Sequence, residues 1–239
     1  MVLKQTPWET HRPKLEHEKR TEQWENAFSK MHPNYTLGAA RILSNGQIRI
    51  HEGIDIYAEK GLPIVSMFSG KVIFTGEIKG YGKTIVIKNR LGTHNYSIIY
   101  SHLDSINVNE GAIVLAGQEI GKMGESGISL RKNNKIPVTP LTGKTITGPH
   151  LHLEILEDVE LSFEENKIIK SKIQEKIFKT KEELEKTGIQ NEWSKQEKCI
   201  HPSGYILINP INWKYIQNET AVFPVIPSIH GLPDVPEIE

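Results

Sequence analysis

Six short runs of β-forming residues, at 64–68, 71–75, 84–88, 96–101, 118–123 and 150–155, follow one another between positions 47 and 156 with glycines in the connections. Closely spaced strands with Gly-rich turns predict an antiparallel, mainly β architecture, a sandwich or half-open barrel, rather than alternating strand and helix. The last run is the most explicit. His150-Leu151-His152-Leu153-Glu154-Ile155 alternates polar and apolar residues, so Leu151, Leu153 and Ile155 are expected on a buried face, with His150, His152 and Glu154 on a face that lines a groove.

A second polar cluster, His51-Glu52-Gly53-Ile54-Asp55, precedes these runs. Residues four apart in an extended strand share a face, so His51 and Asp55 are expected to project together, as are His150 and His152. These are four candidate ligands for a divalent metal. Catalytic zinc takes three His or carboxylate ligands at about 2.0 to 2.2 Å and leaves a fourth position open, so one histidine would remain for proton chemistry.

The rest of the chain bounds the possibilities. Its 239 residues suffice for one large domain. Lys plus Arg and Asp plus Glu are both 29, which removes the basic excess expected of a nucleic-acid partner. A single cysteine, Cys199, excludes an intrachain disulfide framework or a Cys-rich zinc ribbon and is expected to be a buried, idle thiol. Residues 1–20 are charged, with no apolar run of signal-peptide length, and no stretch has the apolar length of a membrane span.

Residues 1–46 read as a polar, partly helical extension in which Trp24, Phe28 and Met31 recur at helical spacing over 15–31. The main domain is expected over 47–216, with a polar loop insertion at 125–147 and a helical insertion at 157–200. Within the latter, Ile169, Ile173 and Ile177 four apart predict added helix over 161–187, with a capping box at Thr180-Lys181-Glu182-Glu183. A return strand is expected near 205–208, followed by a Pro-rich tail over 217–239. Gly53, Gly80, Gly82 and Gly148 read as tight-turn or positive-φ positions, Tyr81 as core or rim packing, and His11, His17, His32, His94, His201 and His230 as surface histidines.

Taken in order, His51-Glu52-Gly53-Ile54-Asp55-Ile56, Gly80-Tyr81-Gly82, Tyr100-Ser101-His102-Leu103, the glycines at 111, 117, 121 and 127, Gly148-Pro149-His150-Leu151-His152-Leu153-Glu154 and Asn209-Pro210 resemble the lysostaphin-type (LytM domain) zinc metallopeptidases of bacterial peptidoglycan. The resemblance covers roughly residues 47–156 and 203–216. It implies that His51, Asp55 and His152 hold Zn2+, that His102 and His150 are catalytic and flank the nucleophilic water, that the substrates are peptidoglycan stem peptides, and that the protein works in the cell envelope, periplasmic or extracellular. Ser101 stands where that family often has alanine, Lys83 where it often has asparagine, and the segment from Gly127 to Gly148 is longer than usual.

Other readings exist. Cupin-type metal barrels also carry His-x-His, but they add a histidine after a Pro-x-Gly turn, and Pro202-Ser203-Gly204 is followed here by Tyr205, Ile206 and Leu207. Within the resembled family the alternatives are a glycyl-glycine endopeptidase and a non-catalytic LytM-like regulator of other wall hydrolases. A tail with no wall-targeting domain favours cleavage of D-alanyl to diamino-acid bonds; Arg131, Lys132, Lys135 and Lys144 are then candidates to meet stem carboxylates, although each charge singly reads first as part of a solvated loop.

Overall fold

The structure, a computed structural model, describes residues 36–42, 48–127, 148–170, 196–201, 204–217 and 221–225. Fifteen strands run through them: β1 (Ala40–Ile42), β2 (Ile48–Ile50), β3 (Ile54–Tyr57), β4 (Pro63–Val65), β5 (Gly70–Ile78), β6 (Gly82–Leu91), β7 (His94–Leu103), β8 (Ser105–Ile106), β9 (Ile113–Val114), β10 (Glu119–Lys122), β11 (His150–Glu157), β12 (Leu161–Glu164), β13 (Lys167–Lys170), β14 (Lys198–Ile200) and β15 (Ile206–Ile208). A 3-10 turn at Pro210–Asn212 and a single-turn helix α1 (Lys214–Gln217) follow. The expected mainly β, antiparallel fold is what forms.

The main sheet has the order β14-β15-β11-β7-β6-β5-β9 and stays open, since its edges β14 and β9 do not pair with each other. β11 is its pivot. One edge of β11 pairs with β7 from His152 to Glu157, and the other is shared by β3, over His150 to Leu153, and β15, at Leu156 and Glu157. The expected alternation holds. Leu151, Leu153 and Ile155 join Ile85, Ile87, Tyr96, Ile98 and Tyr100 in a core that the small β4-β10-β8 sheet covers with Ile64 and Ile120. On the opposite face Val86, Ile99 and Leu156 meet Leu37, Ile50, Cys199 and Tyr205.

Trp213 closes one end of the larger core. Asn209 Oδ1 accepts the Ile211 N–H at 3.1 Å and starts the 3-10 turn that turns Trp213 inward. The indole is wholly buried against Phe68, Tyr96 and Tyr215, at centroid distances of 5.4, 5.0 and 5.5 Å. Trp213→Ala is therefore expected to cost about 3 to 5 kcal/mol of folding free energy. A urea titration checks this; a loss under about 1 kcal/mol would contradict the packing described.

One expectation is corrected. Over residues 161–170 the chain forms the β12–β13 hairpin, not helix, with Leu161 opposite Lys170 and Glu164 opposite Lys167. Its two-residue connection places Glu165 and Asn166 at φ 43° and 61°, the left-handed geometry that tight hairpins require and that asparagine tolerates. The fourfold spacing from Ile169 misled, because Phe163 instead stacks on Phe74 at 4.3 Å and the segment follows strand periodicity. Residues 171–195, with the capping box, lie outside the described residues, as do the 15–31 helix, the 128–147 part of the loop and the tail beyond Val225.

Candidate metal centre

Strand register builds the site. β3 and β11 place Asp55 directly opposite His152, and Tyr57 opposite His150, where the two rings stack at 4.9 Å. His51 is not part of β3, contrary to the expectation that it shares a strand with Asp55. It lies one residue beyond β2 and is held by Ala39: the His51 N–H donates to the Ala39 carbonyl at 2.7 Å, and its own carbonyl accepts the Gly38 N–H at 2.8 Å. The chain then crosses β11 so closely that a Cβ on Gly53 would lie 2.4 Å from the Leu153 carbonyl oxygen and 3.0 Å from His152 Cε1. Gly53 serves this approach, rather than a positive φ.

Three donor atoms converge. His51 Nε2 lies 2.9 Å from His152 Nδ1, His152 Nδ1 3.0 Å from Asp55 Oδ1, and His51 Nε2 3.2 Å from Asp55 Oδ1. All three residues are buried. His51 Nδ1 faces the Thr36 carbonyl at 3.0 Å. A carbonyl only accepts, so the His51 proton sits on Nδ1 and Nε2 is a bare lone pair. That lone pair and the Asp55 oxygen both point at His152 Nδ1, which a proton there satisfies. Two imidazole nitrogens and a carboxylate gathered on one buried point is a donor set that suits zinc.

Burial works against a charged His152, but Asp55 and Glu154 outweigh it and raise its pKa above the ordinary histidine value. The proton on Nδ1 therefore persists to higher pH than usual and must leave before a metal can take its place. Zinc affinity is expected to fall about tenfold per pH unit below that raised pKa, with about one proton released per metal bound. Calorimetry in buffers of different ionisation enthalpy checks this; pH-independent affinity between pH 5.5 and 7.5 would refute it.

The remaining two histidines flank this triangle. His102 and His150 have ring centroids 4.7 Å apart, and His102 lies 5.9 Å from His152. His150 Nε2 is 3.9 Å from Asp55 Oδ1, while its Nδ1–H donates to the Gly148 carbonyl at 3.0 Å. His102 sits where the β6–β7 ladder slips by one residue, between the Lys83–Leu103 and Ile85–Tyr100 pairs, at φ 63°. Such a bulge re-aims a side chain, and a left-handed histidine persists only where its surroundings hold it. Here the Tyr81 carbonyl accepts the His102 N–H at 2.8 Å, and the Ser126 carbonyl accepts its Nδ1–H at 2.8 Å. Burial, aided by His150 and His152, pulls the His102 pKa down to about 3, so at neutral pH its Nε2 is unprotonated.

Two residues of the site gave no signal in the sequence. Thr36 and Ser126 act through backbone carbonyls, which no residue pattern reveals. Glu154, expected on the groove face of its strand either as support for a histidine's second nitrogen or, equally, as a solvated strand end, is fully buried, and its Oε2 accepts from Tyr81 Oη at 3.1 Å and lies 3.8 Å from His152 Nε2. Tyr81, read as core or rim packing, sets its ring edge against His152 at 5.5 Å. Burial, followed by the Glu154 charge, raises its hydroxyl well above the usual value. His201, expected at the surface, is buried and stacked on Tyr205 at 4.4 Å. Cys199 is buried as expected, and burial pushes its thiol up to about 12. His94 is the other described histidine outside the site, paired with Asp158 at 2.6 Å.

Residues 49–162 match Peptidase family M23. Murein hydrolase activator NlpD of Salmonella dublin is 40% identical over 80 residues, covering 33% of this chain and 20% of that protein. DD-carboxypeptidase/endopeptidase Mpg of Neisseria meningitidis serogroup B is 33% identical over 106 residues, covering 44% of this chain and 20% of that protein. The catalytic domain of lysostaphin from Staphylococcus simulans is similar at 26% identity, covering 63% of this chain and 92% of that one, with a TM-score of 0.42. The chain spans between a fifth and about a third of the length of the first curated relatives it matches. It is across residues 49–162, where the open antiparallel sheet carries the histidine and aspartate cluster, that this chain is similar to peptidase family M23.

Proposed function

We propose that this protein is a zinc-dependent endopeptidase that hydrolyses peptide cross-links of bacterial peptidoglycan in the cell envelope, at D-alanyl to diamino-acid bonds. The observation that carries the reading is the convergence of His51 Nε2, Asp55 Oδ1 and His152 Nδ1 within 3.2 Å of one another, with His102 and His150 beside them. Those three residues would hold the zinc, which when bound activates water and polarises the scissile carbonyl. The buried carboxylates Asp55 and Glu154, with the partly buried Glu52, outnumber Lys170, the one buried ammonium among the described residues, so the pocket favours a cation.

The other groups handle protons. His102, anchored through Nδ1–H on the Ser126 carbonyl, offers a neutral Nε2 to accept the proton of the attacking water and return it to the leaving amine. His150, anchored on the Gly148 carbonyl, is the second proton carrier. The D-alanyl bond is favoured over glycyl-glycine because Mpg, one of the relatives, is named a DD-carboxypeptidase/endopeptidase.

The test is digestion of purified cross-linked muropeptide dimers and, separately, of pentaglycine by the zinc-loaded protein, read by mass spectrometry. Release of monomers from the dimers is expected, with pentaglycine intact. Cleavage of pentaglycine alone would replace the bond assignment. Hydrolysis of neither by protein that retains zinc would favour the regulatory reading, which the similarity to the murein hydrolase activator NlpD supports.

A further inference from the structure

Behind the candidate metal centre lies a charged cluster that enters the chemistry above only through its net charge. Lys170, the last residue of β13, is buried, and its Nζ donates to Glu52 Oε2 and to Glu154 Oε1. Its ammonium also lies 5.0 Å from the Tyr205 ring centroid. Glu52 Oε1 in turn lies 3.4 Å from His201 Nε2. Lys170 falls beyond residues 49–162, in the β12–β13 hairpin.

The position of these carboxylates is what matters. Glu52 follows His51, and Glu154 lies two residues after His152 on the same face of β11. One ammonium therefore ties together the two chain segments that carry candidate ligands, from a third element that carries none. Glu154 has Oε1 on Lys170 and Oε2 on Tyr81, and it is Oε2 that stands 3.8 Å from His152 Nε2. A carboxylate facing the second nitrogen of a ligand histidine sets which nitrogen carries the proton and how the ring points. Without the ammonium, the buried Glu154 and the partly buried Glu52 would face each other with no cation between them, and a charge in that state moves toward water or another partner.

We propose that Lys170 is a positioning residue for the metal centre: by gripping Glu154 and Glu52 together, it holds the Glu154 carboxylate against His152 and keeps the His51 and His152 segments at metal-binding separation. This rests on the reading that His51, Asp55 and His152 are the ligands.

The experiment is zinc affinity by chelator competition, with the unfolding midpoint of the metal-free protein measured alongside, for wild type, Lys170→Arg, Lys170→Met, the double variant Lys170→Met/Glu52→Gln and Phe163→Ala. The double variant removes one positive and one negative charge, so the net charge of the cluster matches wild type and it remains informative where Lys170→Met does not fold. Phe163→Ala loosens the same hairpin through its stack on Phe74 without touching Glu154. Weakening of zinc binding by roughly 10- to 100-fold is expected in Lys170→Met and in the double variant, the usual effect of removing support behind a ligand. Lys170→Arg should stay within about threefold of wild type, because the guanidinium keeps the positive charge and has donors enough for both carboxylates. Phe163→Ala should lower the midpoint and leave zinc affinity unchanged. Wild-type affinity in the double variant, or an equal loss of affinity in Phe163→Ala, overturns the proposal. Failure of the ligand reading looks different: wild-type protein would then bind no zinc, or His152→Ala would bind it undiminished.

Discussion

His152→Ala and Asp55→Ala are each expected to empty the metal centre. A structural zinc site is worth roughly 10 to 16 kcal/mol, or about 3 to 4 kcal/mol for each of four ligands, so one lost ligand weakens binding by roughly two to three orders of magnitude. The Asp55 variant has a second consequence. Asp55 is buried at one corner of the triangle, and its removal takes away a charge that, with Glu154, raises the His152 pKa, so the pH dependence of any residual zinc binding should flatten. Metal analysis of the purified variants after dialysis against a weak chelator gives the result directly. Near-stoichiometric zinc in either variant would remove that residue from the ligand set.

His102→Ala should behave in the opposite way. The ring lies 5.9 Å from that of His152 and takes its direction from the Ser126 carbonyl rather than from the triangle, so its loss should leave zinc affinity within about threefold of wild type. Turnover on cross-linked dimers should nonetheless fall by about 100- to 10,000-fold, the usual contribution of a positioned proton acceptor. The loss should fall on kcat more than on KM, because the group acts in the transition state. If His102→Ala loses zinc as completely as His152→Ala, the division between ligands and proton carriers is wrong.

Much of this arrangement was legible in the residue order. The alternation of His150 to Ile155 placed two histidines and Glu154 on one face of a strand, and β11 has that arrangement, because the period of two is a local property of extended backbone. The short glycine-bounded runs marked the central strands for the same reason. The proximity of the His51 and His150 motifs came from the family resemblance, not from any local pattern.

What tertiary structure alone decided lies in contacts between segments far apart in the chain. His51 reaches the site through pairing with Ala39, not through a strand shared with Asp55, and His102 turns inward because a one-residue slip in the β6–β7 register places it at φ 63°. Neither the slip nor the carbonyls of Thr36, Ser126 and Gly148 that fix the imidazole protons leaves a mark on side-chain identity. The fourfold isoleucine spacing after Leu161 suggested helix, but a hairpin gives Phe163 a partner on Phe74 and brings Lys170 to Glu154, and burial against a distant strand outweighs weak local propensity. Residue order determined which groups could share a face; the long-range register of β3 and β7 on β11 decided which of those groups meet, because that register is set by burial and pairing across about 100 residues of chain that no local pattern encodes.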